Sequence, residues 1–343
     1  MKKSIVITLL IIIFSGIAKN SHSQQFEEWY LYTSDKLNLY INEFGTGDTV
    51  IVLHGGFGAE HSYLLDAVKP LQDKFHFVLF DQRGSLRSPA ADSLLSFDKI
   101  LSDIESIRVA FGLKKITLLA HSMGTRIAMA YAEKFPKNIK NLVLVSSYLP
   151  VSSNTELRNY ATFYLENRPA VEQERQKAKL LQDKKNWTDK MYTYNWRISF
   201  ASTNIYTVSN WPTIKGGVAF FNQRTAQIVY PTAPTNWNYI TTFKKTTFPV
   251  TVINGDYDYL NFTAISLQEL LNFYNSKMAN SSSAAVNEND DSFKKLVLQK
   301  QWKDFEKDLP TLKVHIIKNA GHRIWCDQKL KFKKDLLVAL KRN

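Results

Sequence analysis

A serine lies between small residues in the pentapeptide Ala120-His-Ser-Met-Gly124, where an apolar run ends and a helical pattern begins near Thr125. A serine in a tight turn from strand to helix is exposed and can attack a carbonyl carbon, and small flanking residues leave room for such a turn. Gly124 fills the second small position, whereas Ala120 stands where glycine is usual. The pattern indicates Ser122 as a candidate nucleophile.

A serine hydroxyl needs a base to take its proton and a third group to orient that base. His322 follows the last apolar run of the chain, whereas His315 lies inside that run and is better suited to packing. Asp256 and Asp258 both follow an earlier apolar run. We favour Asp258 as the acid because it lies further past the strand end, and Asp256 is the alternative, with a turn-forming role for the other aspartate.

The negative charge that develops on a carbonyl oxygen under attack needs two backbone N–H donors. We expect Met123 and Gly56 to supply them, with Phe57 as a neighbouring candidate for substrate binding. The glycines of residues 55–58 lack the G-x-G-x-x-G spacing and the acidic ribose ligand of a dinucleotide site. No His, Cys and carboxylate residues have metal-ligand spacing. We therefore expect neither cofactor nor metal.

These candidates follow short apolar runs rich in β-branched residues, which are typical of strands buried on both faces. The predicted strands are residues 50–53, 75–80, 116–119, 142–145, 250–253 and 314–317, and helical patterns cover 97–111, 126–135 and 329–340. Alternating strands and helices predict an α/β fold with a mostly parallel sheet covered on both faces. In such sheets, functional groups gather at the carboxyl ends of the strands.

The alternation stops over residues 151–247, a stretch rich in Trp, Tyr, Asn and Thr. It begins with a charged helical run from Glu156 to Lys185 and contains no convincing buried strand. We interpret 151–247 as an insertion into one α/β domain formed by 29–150 and 248–343. Residues 278–292 are rich in Ser, Asn and Asp without an apolar period, which predicts a flexible surface loop.

The 343 residues include 44 basic and 31 acidic side chains, a net charge of +13, but these charges are scattered. Without a basic stripe interleaved with aromatics, we do not expect nucleic-acid binding. High apolar and aromatic content excludes a disordered chain. With Cys326 as the single cysteine, no internal disulfide can form, and this thiol is expected to be packed rather than nucleophilic.

The first 23 residues have the pattern of a secretory signal peptide. Lys2 and Lys3 precede an apolar run over 5–17, and Ser21 and Ser23 are small residues before Gln24. A membrane anchor is the competing interpretation, but this run is shorter than the roughly 20 residues that a spanning helix needs. We expect cleavage near Ser23, a secreted or periplasmic protein, and no stable membrane insertion after cleavage.

Five motifs in this order resemble the α/β-hydrolase superfamily and, within it, the proline iminopeptidases. They are His54-Gly-Gly, Asp81-Gln-Arg-Gly84, the Ser122 pentapeptide, Gly255-Asp-Tyr-Asp258 and Ala320-Gly-His322. The resemblance implies an eight-stranded core, a helical cap at 151–247, and a cofactor-free serine hydrolase with a Ser122, Asp258 and His322 triad. An aspartate at position 122 would have suggested epoxide hydrolases or dehalogenases.

The insertion differs from that family in the residues expected to bind the substrate. Proline iminopeptidases resemble one another in a Gly-Gly-Ser-Trp-Gly turn and in a cap carboxylate, following a tryptophan, that receives the free amine of the substrate. Here Trp196 is followed by Arg197, and residues 151–247 hold 13 basic against 6 acidic side chains. We therefore expect neutral or anionic acyl substrates, small molecules or short peptides, with Trp196 and Arg197 as binding candidates.

Two alternatives stay open. An aminopeptidase would need a cap carboxylate such as Glu166 or Glu172 for the amine, and a non-catalytic binding protein could use the same fold. The insertion's aromatic residues would either shape a substrate pocket or pack its core. They are Trp187, Tyr192, Tyr194, Trp196, Trp211 and Trp237.

Overall fold

The structure is a computed structural model that describes residues 26–152, 155–214, 221–278 and 300–342. The predicted signal peptide at 1–23 lies outside these ranges. The predicted surface loop at 278–292 also lies outside them, apart from Met278, which ends a helix.

The described residues form an eight-stranded sheet in the order β1-β2-β4-β3-β5-β6-β7-β8. Strands β1 and β2 are antiparallel to their neighbours, and the remaining pairs are parallel. The strands are β1 Glu27–Tyr32, β2 Asn38–Gly45, β3 Asp48–Leu53, β4 Phe75–Phe80, β5 Ile116–His121, β6 Ile139–Val145, β7 Val250–Gly255 and β8 Leu312–Ile317. The predicted α/β class and mostly parallel sheet are confirmed, and the apolar runs correspond to β3 to β8.

Helices cover the sheet and connect its strands. They are α1 Leu65–Val68, α2 Phe97–Ala110, α3 Met123–Lys134, α4 Thr155–Glu166, α5 Pro169–Lys177, α6 Asp189–Asn204, α7 Gln223–Val229, α8 Ile240–Lys245, α9 Leu267–Met278, α10 Trp302–Phe305, α11 Ile324–Asp327 and α12 Lys329–Leu340. Short 3₁₀ turns lie between several of them.

The two faces of the sheet have separate apolar layers. Along β3, Ile51 and Leu53 lie in one layer with residues of α2 and α3, while Val50 and Val52 lie in the other with residues of α1 and α12. Since successive side chains of a strand point to opposite faces, a strand covered on both faces is apolar throughout. This arrangement explains the continuous apolar runs and leaves the strand ends for polar groups.

Helices α4 to α8 lie between β6 and β7, where the resemblance places a cap, and residues 155–245 are called the cap below. The cap has an apolar cluster of its own that includes Val171, Ile198 and Ile205. An isolated antiparallel bridge joins Val151, just before this region, to Asn238 near its end. The boundaries 151 and 247 stay a prediction. Among the described residues, no helix has the length and apolar character required to cross a membrane.

Candidate active site

Ser122 stands in the sharp turn between β5 and α3, with φ 55° and ψ −126°. Its backbone N–H donates to the Val145 carbonyl at 3.1 Å, which fixes the turn against β6. A Cβ added to Gly124 would lie 2.6 Å from the His54 carbonyl oxygen, so only glycine fits in the first turn of α3. The residue pattern around Ser122 therefore follows from a helix that begins immediately after the serine.

The structure brings His322 to Asp258, and not to Asp256. Nδ1–H of His322 donates to Oδ1 of Asp258 at 2.9 Å, and both side chains are buried. The Leu260 N–H donates to the same carboxylate at 3.0 Å. Asp256 instead accepts from the Ala320 N–H at 3.3 Å, so it holds the backbone of the loop that carries the histidine. Nε2 is the ring nitrogen of His322 that Asp258 leaves available.

His121, the residue before Ser122, supports the loop that carries His322. Nε2 of His121 lies 3.1 Å from the His322 carbonyl oxygen, and since a carbonyl can only accept, this nitrogen carries the proton. Nδ1 then accepts from the Tyr63 hydroxyl at 2.7 Å, and that hydroxyl accepts from the Gly55 N–H at 2.7 Å. Burial, reinforced by the nearby His322, lowers the pKa of His121 well below its usual value. His121 is therefore a neutral side chain that links the loop of His322 to the loop after β3.

The loop after β3 approaches the serine closely. A Cβ on Gly55 would lie 2.6 Å from Cβ of Ser122, so the backbone can come this near only with glycine there. The next residue, Gly56, has φ 72°. Met123 is the first residue of α3, where a helix has N–H groups without intrahelical acceptors. The described arrangement thus places both expected oxyanion donors, Gly56 and Met123, in segments that adjoin Ser122.

Phe57 is buried rather than free to line an open cleft, with 1% of its surface exposed. Its ring packs edge-on against Tyr230 of the cap at 4.9 Å between centroids, and against Phe97 of α2 at 6.3 Å. Phe57 therefore links the loop after β3 to the cap.

Buried ion pairs support the loop after β4. Arg83, 1% exposed, donates from Nε to Asp103 at 2.8 Å and from Nη1 to Asp35 at 2.9 Å. Asp81 accepts from the imidazole of His61 at 2.7 Å. Burial alone would raise the pKa of Asp81, but the hydrogen bond and charge of His61 lower it to about 2. The Asp81-Gln-Arg-Gly84 motif is therefore a paired charge network.

Glu60, His61 and Asp81 bring potential metal-ligand atoms within 4.8 Å of one another, the one such group among the residues described. Sequence spacing did not indicate it because the residues come from two loops. Nη1 of Arg87 lies 3.2 Å from Glu60 and 3.3 Å from Asp81. Because this guanidinium already neutralises both carboxylates where a cation would bind, the group fits a structural role better than a metal site.

The predicted binding candidates of the cap lie on α6. Trp196 stacks on Phe200 at 5.2 Å, and Phe200 lies 4.8 Å from the guanidinium of Arg323, the residue after His322. Arg197 is half-buried, and its Nε makes no hydrogen bond within the described structure. Other cap aromatics pack on one another, as Tyr194 does on Trp211 at 4.8 Å. Core packing therefore accounts for part of the aromatic set.

The cap carboxylates considered as receptors for an amine are exposed to solvent, namely Glu166 and Glu172. The buried acidic side chain of the described cap is Glu174, 8% exposed. It accepts from Nε1 of Trp211 at 3.0 Å and pairs with Lys177 at 2.7 Å. None of the three is a buried, unpaired carboxylate of the kind that an ammonium group would need.

Sequence reasoning missed residues that surround the candidate triad. The ring of Tyr259 lies 4.7 Å from that of His322. Tyr148 follows β6, and its N–H donates to Oγ1 of Thr125 at 3.1 Å. Arg126, one turn along α3 from the serine, lies 4.1 Å from the ring of Trp237. Because functional groups gather at the carboxyl ends of strands, the end of β6 would have indicated Tyr148. Arg126 could be placed near the serine only from the folded structure.

Comparison with known proteins finds a matching family and similar sequences. A family described as alpha/beta hydrolase fold matches residues 48–324. A proline iminopeptidase of Xylella fastidiosa is 35% identical over 125 residues, 35% of this chain and 39% of that protein. A proline iminopeptidase of Flavobacterium johnsoniae is 26% identical over 69% of this chain and 83% of its own length. The chain thus spans less than half the length of the first of these relatives.

A solved structure shares the fold. The proline iminopeptidase-related protein of Thermus thermophilus superposes with a TM-score of 0.57 at 18% identity. The match covers 92% of this chain and 97% of that one.

Proposed function

The chain belongs to the α/β-hydrolase fold family, and from this premise we propose that it is a serine hydrolase that cleaves a carboxylic ester or amide through an acyl-enzyme. Ser122 would be the nucleophile, His322 the base and Asp258 the group that orients it. The observation that carries the proposal is the 2.9 Å hydrogen bond between His322 and Asp258, together with a serine held at φ 55° whose preceding residue, His121, contacts the His322 carbonyl oxygen. A structural serine needs neither feature.

In the first half of the proposed reaction, Oγ of Ser122 attacks the substrate carbonyl carbon and its proton passes to Nε2 of His322. The backbone N–H groups of Gly56 and Met123 stabilise the oxyanion. Asp258 keeps the Nδ1 proton in place and stabilises the imidazolium. The tetrahedral intermediate then collapses, the bond to the leaving group breaks, and His322 returns the proton to that group.

In the second half, water attacks the acyl carbon and gives its proton to His322. The acid product leaves when the proton returns to Oγ of Ser122. No cofactor or metal takes part in this scheme.

A fluorophosphonate probe tests the nucleophile directly. It should label the protein at Ser122, and Ser122→Ala should lose both the label and turnover of aryl esters, by roughly 10⁶-fold for a triad serine. Ser102→Ala, an exposed serine on α2, is the matched control and should react normally. Folded wild-type protein that neither reacts with the probe nor cleaves esters, lactones or aminoacyl amides would point instead to a binding protein.

The relatives favour a proline iminopeptidase as the second candidate. Against it, Glu166 and Glu172 are exposed and Glu174 is already paired. Amide and ester cleavage share the acyl-enzyme, so the cap decides between them. We propose that the cap favours neutral or anionic substrates over prolyl amides.

We also propose that the protein is exported to the periplasm or the medium. The pattern of Lys2, Lys3 and the apolar residues 5–17 supports this. Its partner would be a small-molecule or short-peptide substrate, with no role in nucleic-acid binding.

A further inference from the structure

Two arginines share a cluster of tyrosines next to the candidate nucleophile. Arg126 lies on α3 and Arg158 on α4, so one comes from the core and the other from the cap. The guanidinium of Arg126 lies 5.7 Å from the Tyr148 ring. Arg158 lies beside the same tyrosine, where both guanidinium groups oppose the rise in the Tyr148 pKa that burial causes. Tyr148 is therefore the meeting point of two cationic side chains.

The cluster adjoins the candidate triad on two sides. Nη1 of Arg126 lies 3.9 Å from Sδ of Met123, the residue that follows Ser122. The ring of Tyr259 is 4.7 Å from that of His322. Burial raises the pKa of Tyr259, the nearby Tyr148 and Asp258 raise it further, and Arg158 opposes the rise. A substrate whose carbonyl reaches Ser122 would therefore lie beside a cluster that contains Arg126 and, through its hydrogen bond to Tyr148, Arg158.

Neither arginine has a carboxylate partner among the ion pairs of residues 26–152, 155–214, 221–278 and 300–342. Burial lowers the pKa of Arg126, the nearby Tyr148, Tyr239 and Tyr230 oppose this, and repulsion from Arg158 reinforces it. Arg126 is 9% exposed and uses Nη2 on the Pro234 carbonyl, whereas Arg158 is half-buried. Two like charges held this way in a partly buried site favour a bound anion.

We propose that this cluster binds a carboxylate of the substrate. Arg158 would donate hydrogen bonds to that carboxylate, and Arg126 on α3 would add positive electrostatic potential. The substrate class is then an ester or amide that carries a free carboxylate a few bonds from the scissile carbonyl. Tyr148, which forms a hydrogen bond with Arg158, and Tyr230 belong to the same cluster. This inference rests on the proposed serine hydrolase and narrows its substrate class.

The same arrangement disfavours a substrate with a free amine. An ammonium group near Arg126 and Arg158 would meet like charge, and juxtaposed like charges reject a wrong ligand strongly. The excess of basic over acidic side chains in the insertion acts in the same direction.

The test uses two matched pairs of aryl esters with the mature wild-type chain. In one pair the acyl chain ends in a carboxylate or in its methyl ester, and in the other the phenol leaving group carries a carboxylate or its methyl ester. We expect the anionic member of at least one pair to be preferred in kcat/KM by about 10-fold or more. Arg158→Gln should lower kcat/KM for that substrate by about 10- to 100-fold, through KM, and change the neutral partner less than about 3-fold.

Arg224→Gln is the control, because it removes the same charge from an exposed cap arginine that pairs with Asp92. It should leave the ratio between the two substrates unchanged. Arg158→Lys keeps the charge and should retain part of the preference, which guards against misfolding of the glutamine variant.

Normal probe labelling and neutral-ester cleavage, with no anionic preference or one that Arg158→Gln leaves intact, would overturn the inference alone. Absence of labelling and of all cleavage would overturn the serine hydrolase itself.

Discussion

The loop after β4 and the cap differ in how their charges are paired. After β4, buried charges are paired, as Asp81 is with His61 and Arg87, and Arg83 with Asp103. In the cap, Arg158 and Arg197 have no carboxylate partner among the described residues. The cap also carries an apolar cluster of its own and excess positive charge.

This difference separates two tasks. A charge that is already paired inside the protein fixes geometry but has little capacity left for a ligand, whereas an unpaired charge in a partly buried site is available to one. The loop after β4 is therefore suited to hold structure in place, and the cap to select what reaches the candidate site.

The largest effect is expected at the triad acid. Asp258→Asn should lower kcat for an aryl ester by about 10⁴-fold, because an amide no longer holds the tautomer of His322 that can accept the serine proton. Asp256→Asn is the matched control and should stay within about 10-fold, since Asp256 bonds only the loop backbone and Lys318. The reverse order in steady-state kinetics would move the acid to Asp256.

An intermediate effect is expected on acid stability. The pKa of Asp81 is lowered to about 2 in the folded chain, below the roughly 3.9 of an unfolded aspartate. Its stabilisation is therefore present above about pH 4 and is lost as the pH falls through about 2, amounting to about 2 to 3 kcal/mol. Stability measured by urea unfolding should fall more steeply toward low pH in wild type than in Asp81→Asn, where other carboxylates with a lowered pKa, such as Asp35 and Glu105, still contribute.

Asp48→Asn serves as the control for that slope, because Asp48 pairs with Lys140 on the surface, where ion pairs contribute little. An equal acid-side slope in wild type and Asp81→Asn would mean that the loop after β4 does not depend on its paired charges.

The smallest effect is expected for the exposed cap carboxylates. Glu166→Gln and Glu172→Gln should change kcat/KM less than about 2-fold for a neutral aryl ester and for a prolyl arylamide, since neither side chain is placed to be desolvated by a ligand. Loss of a carboxylate that did bind the amine would cost roughly 30-fold to several thousand-fold on the prolyl substrate alone. That outcome would make the protein an aminopeptidase.

Sequence patterns predicted the strands that are buried on both faces and are therefore apolar throughout. They did not predict β1 and β2 at the edge of the sheet. Strand β1 alternates between exposed and half-buried residues, and β2 buries the polar Asn42. Neither strand contains a long apolar run, so hydrophobicity alone could not find them. The predicted helical run from Glu156 to Lys185 holds two helices, because Pro169 begins the second.

The site was predictable to the extent that its residues follow strands. Gly56, Asp258 and His322 each follow a parallel strand, and parallel strands end at one edge of the sheet, a rule that needs no coordinates. Arg158 and Tyr148 meet across the boundary of cap and core, and Tyr63 reaches His121 over 58 positions of sequence. Such contacts depend on how the loops pack, which composition and spacing do not specify.

The backbone conformation at position 122 also lowers the stability of the folded chain at the residue proposed to react. A side chain held at φ 55° and ψ −126° costs on the order of 1 to 3 kcal/mol, and glycine would relieve much of this, offset in part by its greater freedom in the unfolded chain. The substitution that a search for thermal stability would choose here is therefore one that removes the proposed nucleophile. In an evolving population, selection for robustness alone would remove this serine, and only continued demand for its chemistry would retain it.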